Sequence, residues 1–179
     1  MFSFSSVEPY LMSCPLPESH KDKIPAIVSI VEDDCENIRN SLKVVFEPLK
    51  KNQRKEKFAV CSKGLDFPGE DISVKLVEWI EISRALGAAK IFLYQLDVHP
   101  NISKVLDYYT EAGLVDVRPI TLPDHQPNIG GLQHLYMETR RRDIQLMQFE
   151  TISLNDCLYR NIYRQVWTLV IVITLLCQI

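Results

Sequence analysis

The chain has 179 residues, of which 46% are hydrophobic and 24% are charged, and its formal net charge is −3. This composition is typical of a folded globular protein with a buried core and excludes a fully disordered chain. The slight excess of acidic residues argues against a nucleic-acid-binding protein, which would normally present a strongly basic surface.

No segment has the length and apolar character of a secretory signal or a membrane span. Residues 1–6 lack a basic start and a long apolar core. The most apolar segment, 166–177, has twelve residues, whereas roughly 18 to 20 are needed to cross a bilayer. A tail-anchored protein that uses residues 166–179 is therefore the weakest of the alternatives.

Residues 1–57 are predicted to form an irregular lead-in before the main domain at 58–179. Four prolines, at positions 9, 15, 17 and 25, favour extended or irregular backbone. Short strands are predicted at 27–31 and 41–46. The charged segment 50–57 is interpreted as a solvated linker, because Glu56 interrupts its basic residues and it contains no aromatic side chain.

Strands and helices alternate from Phe58 onward. Short apolar runs predict strands over 58–61, 91–96 and 114–117, the first ended by a turn at Lys63-Gly64. Helices are predicted from Asp71, as N-cap, to Gly87 and from Pro100-Asn101 to Gly113. This alternation predicts a parallel, Rossmann-like α/β sheet, in which ligands bind beyond the carboxyl ends of the strands. Those ends are predicted at 62–65, 95–99 and 118–121.

Three further elements are predicted after a Pro/Gly-rich loop at 121–132. A helix is expected over 132–142, and a second helix capped by Ser153 or Asn155 is expected to run to Tyr163. Segment 166–174 contains seven β-branched residues in nine positions, which predicts a buried strand.

Common nucleotide and hydrolase motifs are missing from the sequence: it has no GxGxxG, no GxxxxGK[ST] and no GxSxG. Lys63-Gly64 after a strand suits a phosphate-bearing ligand, although an ordinary turn explains the same two residues. Asp156 and Arg160 are four residues apart, which is consistent with a helical ion pair or with a polar cluster that faces a cleft. Asn101-Ile102-Ser103 is an N-glycosylation sequon, and Asn101 is equally compatible with a helix cap.

Cysteines and histidines give no metal pattern. The five cysteines form no CxxC pair, and buried or disulfide-paired structural cysteines are favoured over reactive ones; they are Cys14, Cys35, Cys61, Cys157 and Cys177. The four histidines are not at metal-ligand spacing and are interpreted as surface or loop residues; they are His20, His99, His125 and His134.

Long stretches of the chain resemble the glycosyltransferase family 92 domain of animals. The similar segments are EPYLMSCPLP (8–17), FAVCSKGLDF (58–67), DISVKLVEWIEISRALGAAKIFLYQLDVHPNISKVLDYYTEAGLVDVRPITLP (71–123), QPNIGGLQHLY (126–136) and NDCLYRNIYR (155–164). The resemblance implies a GT-A-like nucleotide-sugar fold and a Golgi-type membrane enzyme. It also implies galactosyl transfer from UDP-galactose to a glycan acceptor with a divalent metal such as Mn²⁺.

The residues expected to contact the nucleotide sugar lie at the predicted end of the first strand and on the last predicted helix. Residues 61–64 are expected near the base or ribose, with Lys63 toward the phosphates; they are Cys61, Ser62, Lys63 and Gly64. Arg160 is expected to orient Asp156 or the diphosphate. No residue is assigned as the catalytic base.

Two departures from the family pattern lead to a further expectation. The family's amino-terminal membrane anchor is not found in this sequence. The family has an Asp-x-Asp metal motif after the strand that follows NDCLYRN, whereas here Asp156 is the last acidic residue. The sequence is therefore expected to be the nucleotide-binding half of such an enzyme, truncated before its metal ligands. The alternative is a non-catalytic binding remnant or isoform.

Overall fold

A computed structural model describes residues 10–31, 37–46, 57–123, 126–139, 142–162 and 166–170. The lead-in holds a 3₁₀ turn, Glu18–His20, and two short strands, β1 (Ile27–Val28) and β2 (Leu42–Lys43), which pair antiparallel. The Asn40 side chain makes two hydrogen bonds to the backbone of Ile30: it accepts one from the Ile30 N–H (2.8 Å) and donates one to the Ile30 carbonyl (2.6 Å). The predicted strands at 27–31 and 41–46 are thus present but shorter. The predicted linker at 50–57 falls outside the described residues except for Lys57.

The main sheet has four strands in the order β5-β4-β3-β6, and all neighbouring strands are parallel. The strands are β3 (Lys57–Phe67), β4 (Ala88–Val98), β5 (Val115–Pro119) and β6 (Val166–Val170). The predicted parallel α/β sheet is confirmed and is compatible with a Rossmann-like fold. Residues 171–174 of the last predicted strand lie outside the described residues.

Helices cover both faces of this sheet. They are α1 (Ser73–Ala85), α2 (Pro100–Glu111), α3 (Leu132–Thr139) and α4 (Arg142–Asn161). Val60, Ile91 and Leu93 pack with side chains of α1 and α2 on one face, whereas Ala59, Cys61 and Phe92 pack with Cys157 of α4 on the other. Successive residues of a strand point to opposite faces, so the continuous apolar runs of β3 and β4 follow from burial on both sides.

The predicted C-terminal glycines of both helices and the start of α2 at Pro100 are confirmed, whereas the predicted N-cap of α1 is wrong by one residue, since the N-cap is Ile72 and not Asp71. The Asp71 carboxylate accepts a hydrogen bond from the Ser73 N–H (3.1 Å) before α1, and Pro100 is the first residue of α2. Hydrogen bonds from Ser73 and then from Asn101 lower the pKa of Asp71 to about 2. Gly87 and Gly113 follow the two helices with φ of 100° and 76°, a backbone conformation that favours glycine.

Two predicted boundaries are wrong. No turn occurs at Lys63-Gly64, because β3 continues to Phe67 through a register shift between Cys61 and Gly64. The last helix does not begin at Ser153 or Asn155, since α4 already begins at Arg142. In mid-helix these two side chains donate to carbonyls of the preceding turn instead of capping an end.

Candidate functional site

A cavity of about 340 Å³ lies at the carboxyl end of β3, on the side that α3 and α4 cover. We refer to it as the β3 cavity. Its described polar lining residues are Lys63, Asp66, Glu70, His134, Glu138 and Glu150, and Phe67, Leu96, Met137 and Phe149 supply apolar surface. The chain proceeds from β3 to β4 and β5 on one side and returns to β6 on the other. In open α/β sheets, ligands bind at the carboxyl ends of strands where the strand order reverses in this way.

The register shift in β3 turns Lys63 and the neighbouring Gly64 toward the same face of the sheet. Lys63 Nζ donates to Glu150 Oε1 of α4 at 2.9 Å. A Cβ atom built on Gly64 would overlap the ring of Phe149, also on α4. A β-bulge places two consecutive residues on one face, and here the second of them must be glycine because the Phe149 ring lies against its backbone.

Asp66 and His134 form a hydrogen-bonded pair in the β3 cavity. His134 Nδ1 lies 2.9 Å from Asp66 Oδ2, and the Asp66 side chain is only 14% exposed. Its other oxygen, Oδ1, is buried and has no hydrogen-bond partner among the described residues. Burial raises the pKa of the Asp66 carboxyl, although the hydrogen bond and the electrostatic interaction with His134 act in the opposite direction.

Of the four residues expected at 61–64, the structure places Lys63 and Gly64 on the cavity wall and buries the other two. Cys61 forms a disulfide with Cys157 of α4, with a Cα–Cα distance of 5.9 Å, and both are fully buried. Ser62 is also buried, on the opposite face of β3. The preference for structural cysteines is confirmed for this pair. Cys14 is free and exposed, and Cys35 and Cys177 lie outside the described residues.

Asp156 and Arg160 interact with each other one turn apart on α4. Arg160 Nε donates to both carboxylate oxygens of Asp156 at 2.7–2.8 Å, and the Tyr94 hydroxyl donates to Asp156 at 2.6 Å. Burial and the bond to Asp156 raise the pKa of Tyr94 above its usual range, and the same carboxylate raises the pKa of Arg160. The helical ion pair is therefore present. Binding of a nucleotide sugar by these two residues and by 61–64 stays a prediction.

Asn101, the predicted glycosylation site, lies in the first turn of α2. Its side-chain amide donates to Asp71 at 2.6 Å, which links the N-termini of α1 and α2. The cap of α2 is His99, whose Nδ1 accepts from the Asn101 N–H at 3.2 Å. Glycosylation of Asn101 stays a prediction.

The side chains of the described residues do not form a divalent-metal site. Among the described ranges, no group of three or more His, Cys, Asp or Glu side chains could hold a metal ion. Asp66 and Glu138 both approach His134, but the contact from His134 Nε2 to Glu138 is 4.0 Å and the three do not form a ligand set. The described residues therefore do not fit the Mn²⁺ that the resemblance implies.

Sequence reasoning missed the acidic and histidine residues of the β3 cavity. His134 was expected at the surface or in a loop, but it lies on α3 and contacts Asp66 from β3. Glu150 was not singled out, because α4 was predicted to begin after it. The spacing of His134 and Glu138, four residues apart, was the available signal that both lie on one side of a helix.

Comparison with known families gives one match. The family model for glycosyltransferase family 92 matches residues 56–173, about two thirds of the chain. No curated protein and no solved structure matches the chain.

Proposed function

Because the chain belongs to glycosyltransferase family 92, we propose that it transfers a sugar from a nucleotide sugar to a glycan acceptor. UDP-galactose is the proposed donor, so that galactose is the transferred unit. The single observation that supports this reading most strongly is the β3 cavity itself, at the carboxyl end of a parallel strand beside the reversal of strand order. Open α/β sheets bind their nucleotide ligands at this position.

Lys63 is the proposed contact for the donor diphosphate. Negative charge grows on the diphosphate as the bond to the sugar breaks, and a nearby ammonium group stabilises that charge. Lys63 is held by Glu150 at 2.9 Å, so the diphosphate reaches Lys63 by replacing the Glu150 carboxylate. Removing the charge of Glu150 should therefore strengthen the binding of UDP.

We further propose that the protein works in the secretory pathway, in the Golgi. The Cys61–Cys157 disulfide supports this location, because such bonds persist in oxidising compartments and are rare in the cytosol. None of the helices in the described part of the chain is both long and apolar enough to span a bilayer.

Ligand-dependent thermal stability tests the proposal. The disulfide-intact protein is titrated with UDP, with and without Mn²⁺, beside Lys63→Met, Glu150→Gln and the control Lys75→Met on the exposed side of α1. We expect UDP to raise the melting temperature of the wild type and the control, more so for Glu150→Gln and little for Lys63→Met. A wild-type protein that unfolds cooperatively and does not respond to UDP would overturn the donor assignment and favour a non-catalytic binding protein.

A further inference from the structure

We propose that the part of the β3 cavity around His134 binds a neutral sugar of the acceptor glycan, and that His134 takes the proton from the attacking hydroxyl. This inference rests on the proposed function and deepens it. The acceptor sugar lies on the His134 side of the cavity, and His134 activates its hydroxyl. The donor diphosphate is left on the other side, next to Lys63.

The charge of the cavity argues against a second anionic group at this place. Its described lining contains four carboxyl groups and a single lysine, and that lysine is already paired with Glu150. Around His134 the neighbouring side chains are Asp66 and Glu138, and Asp97 adds further negative charge next to Asp66. A second anionic group beside His134, away from Lys63, would be repelled, whereas carboxylates accept hydrogen bonds well from the hydroxyls of an uncharged sugar.

The shape and lining of the cavity also suit a sugar. A volume of about 340 Å³ lies at the lower end of the range of small-molecule sites, roughly 300–1,000 Å³. The partly exposed Phe67 and Leu96 offer apolar surface for the C–H face of a pyranose, and the acidic side chains line the same space. Met137 and Phe149 complete the apolar wall but are 2% and 6% exposed. Specific ligand sites usually combine apolar surface with polar groups that fix the orientation of the ligand.

The hydrogen bond to Asp66 leaves the second nitrogen of His134 available. A carboxylate can only accept a hydrogen bond, so His134 Nδ1 carries the proton when Asp66 is ionised, and Nε2 then holds a free electron pair. Nε2 lies 4.0 Å from Glu138 Oε2, too far for a hydrogen bond. Asp66 is thus the positioning residue: it fixes the tautomer and ring orientation and stabilises the charged imidazolium that forms on proton transfer.

The acceptor hydroxyl gives its proton to His134 Nε2, and the oxygen attacks the anomeric carbon of the donor sugar. The bond between that carbon and the diphosphate oxygen breaks, and the nucleoside diphosphate leaves with the electron pair. The imidazolium then returns its proton to solvent. No oxidant or reductant is involved.

Kinetics of variants test the role of His134. General-base catalysis contributes about 10²–10⁴-fold, so His134→Gln should lower kcat for transfer by about that factor and leave UDP binding intact. The acid limb of the pH profile of kcat/KM should disappear in His134→Gln, and imidazole added to His134→Ala should restore part of the activity.

Asp66→Asn should lower kcat and change the pH profile, whereas the control His20→Gln, in the exposed lead-in, should behave as the wild type. Unchanged kcat and pH profile in His134→Gln would overturn the inference.

A binding measurement separates failure of this inference from failure of the proposed function. Imidazole resonances of the wild-type protein, assigned with His134→Gln, are followed by NMR during titration with methyl glycosides of galactose, N-acetylglucosamine, mannose and fucose. We expect at least one glycoside to shift the His134 signals and UDP to leave them nearly unchanged. If no glycoside moves them, or UDP moves them more, the inference is wrong even where transfer is observed. A glycoside response without UDP binding would instead reject the proposed donor.

Discussion

The Lys63 ammonium lies 2.9 Å from the Glu150 carboxylate and joins β3 to α4 at the wall of the β3 cavity. Both side chains are largely shielded, with 17% and 26% of their surface exposed. Removal of one partner leaves the other charge partly desolvated, so we expect Lys63→Met to lower the free energy of unfolding by about 1–3 kcal/mol. Urea denaturation checks this. Lys75→Met, at an exposed lysine of α1, should stay within about 0.5 kcal/mol of the wild type, and an equal effect of both would contradict the ion pair.

Gly64 is predicted to be intolerant of any side chain. A Cβ atom there would overlap the Phe149 ring, whereas a Cβ on Gly69 meets nothing within 4 Å. Overpacking of this kind typically costs about 1–3 kcal/mol, so Gly64→Ala should lower the denaturation midpoint and Gly69→Ala should change it little. Phe149→Leu should recover part of the loss when combined with Gly64→Ala. Equal stability of the two alanine variants would show that α4 does not pack on β3 as described.

The Cys61–Cys157 disulfide is predicted to contribute strongly to stability. It joins residues 96 positions apart and fixes α4 on β3, and loss of a native disulfide typically costs about 2–5 kcal/mol. We expect the double variant Cys61→Ser/Cys157→Ser to unfold at a clearly lower temperature than the wild type. Cys14→Ser is the matched control, since that thiol is free and exposed. Peptide mapping under non-reducing conditions would contradict the assignment if Cys61 were found as a free thiol.

Asp66 should make the protein less stable as the pH rises. Burial raises the pKa of its carboxyl above the ordinary value of 3.8, so the folded state binds this proton more tightly than the unfolded state. Its contribution to stability is therefore greatest below pH 3.8 and declines as the pH rises through the raised pKa. Asp66→Asn removes that decline.

Urea unfolding of the wild type and Asp66→Asn between about pH 4 and 7 measures this difference. The variant should gain stability relative to the wild type as the pH increases, even though it should lose activity. Asp22→Asn, at an exposed lead-in residue, is the control. A stability difference that is independent of pH would contradict the burial of an ionisable carboxyl at this place.

Features set by neighbouring residues could be predicted from the sequence. The alternation of strands and helices, the N-terminal Asp71 and Pro100, and the terminal Gly87 and Gly113 depend on local backbone preferences. The alternation, Pro100 and the two glycines agree with the structure, and the N-cap of α1 lies one residue after Asp71, at Ile72.

Features set by distant pairing could not be predicted in the same way. The bulge at Lys63-Gly64 depends on the register of β3 against β4, so the local Lys-Gly pattern of a turn was misleading. The Asp66–His134 pair joins residues 68 positions apart, and the disulfide joins residues 96 apart. Periodicity in a single sequence carries no signal for contacts of that range, which arise only when α3 and α4 pack on the sheet.

Glycan analysis after incubation with the donor tests the central claim most directly. The disulfide-intact protein is incubated with UDP-galactose, Mn²⁺ and a mixture of released glycans, and the products are analysed by mass spectrometry. The account predicts glycans extended by one hexose, with release of an equal amount of UDP, and far less product with His134→Gln than with His20→Gln. Absence of extended glycans from a folded protein that also fails to bind UDP would contradict sugar transfer by this chain.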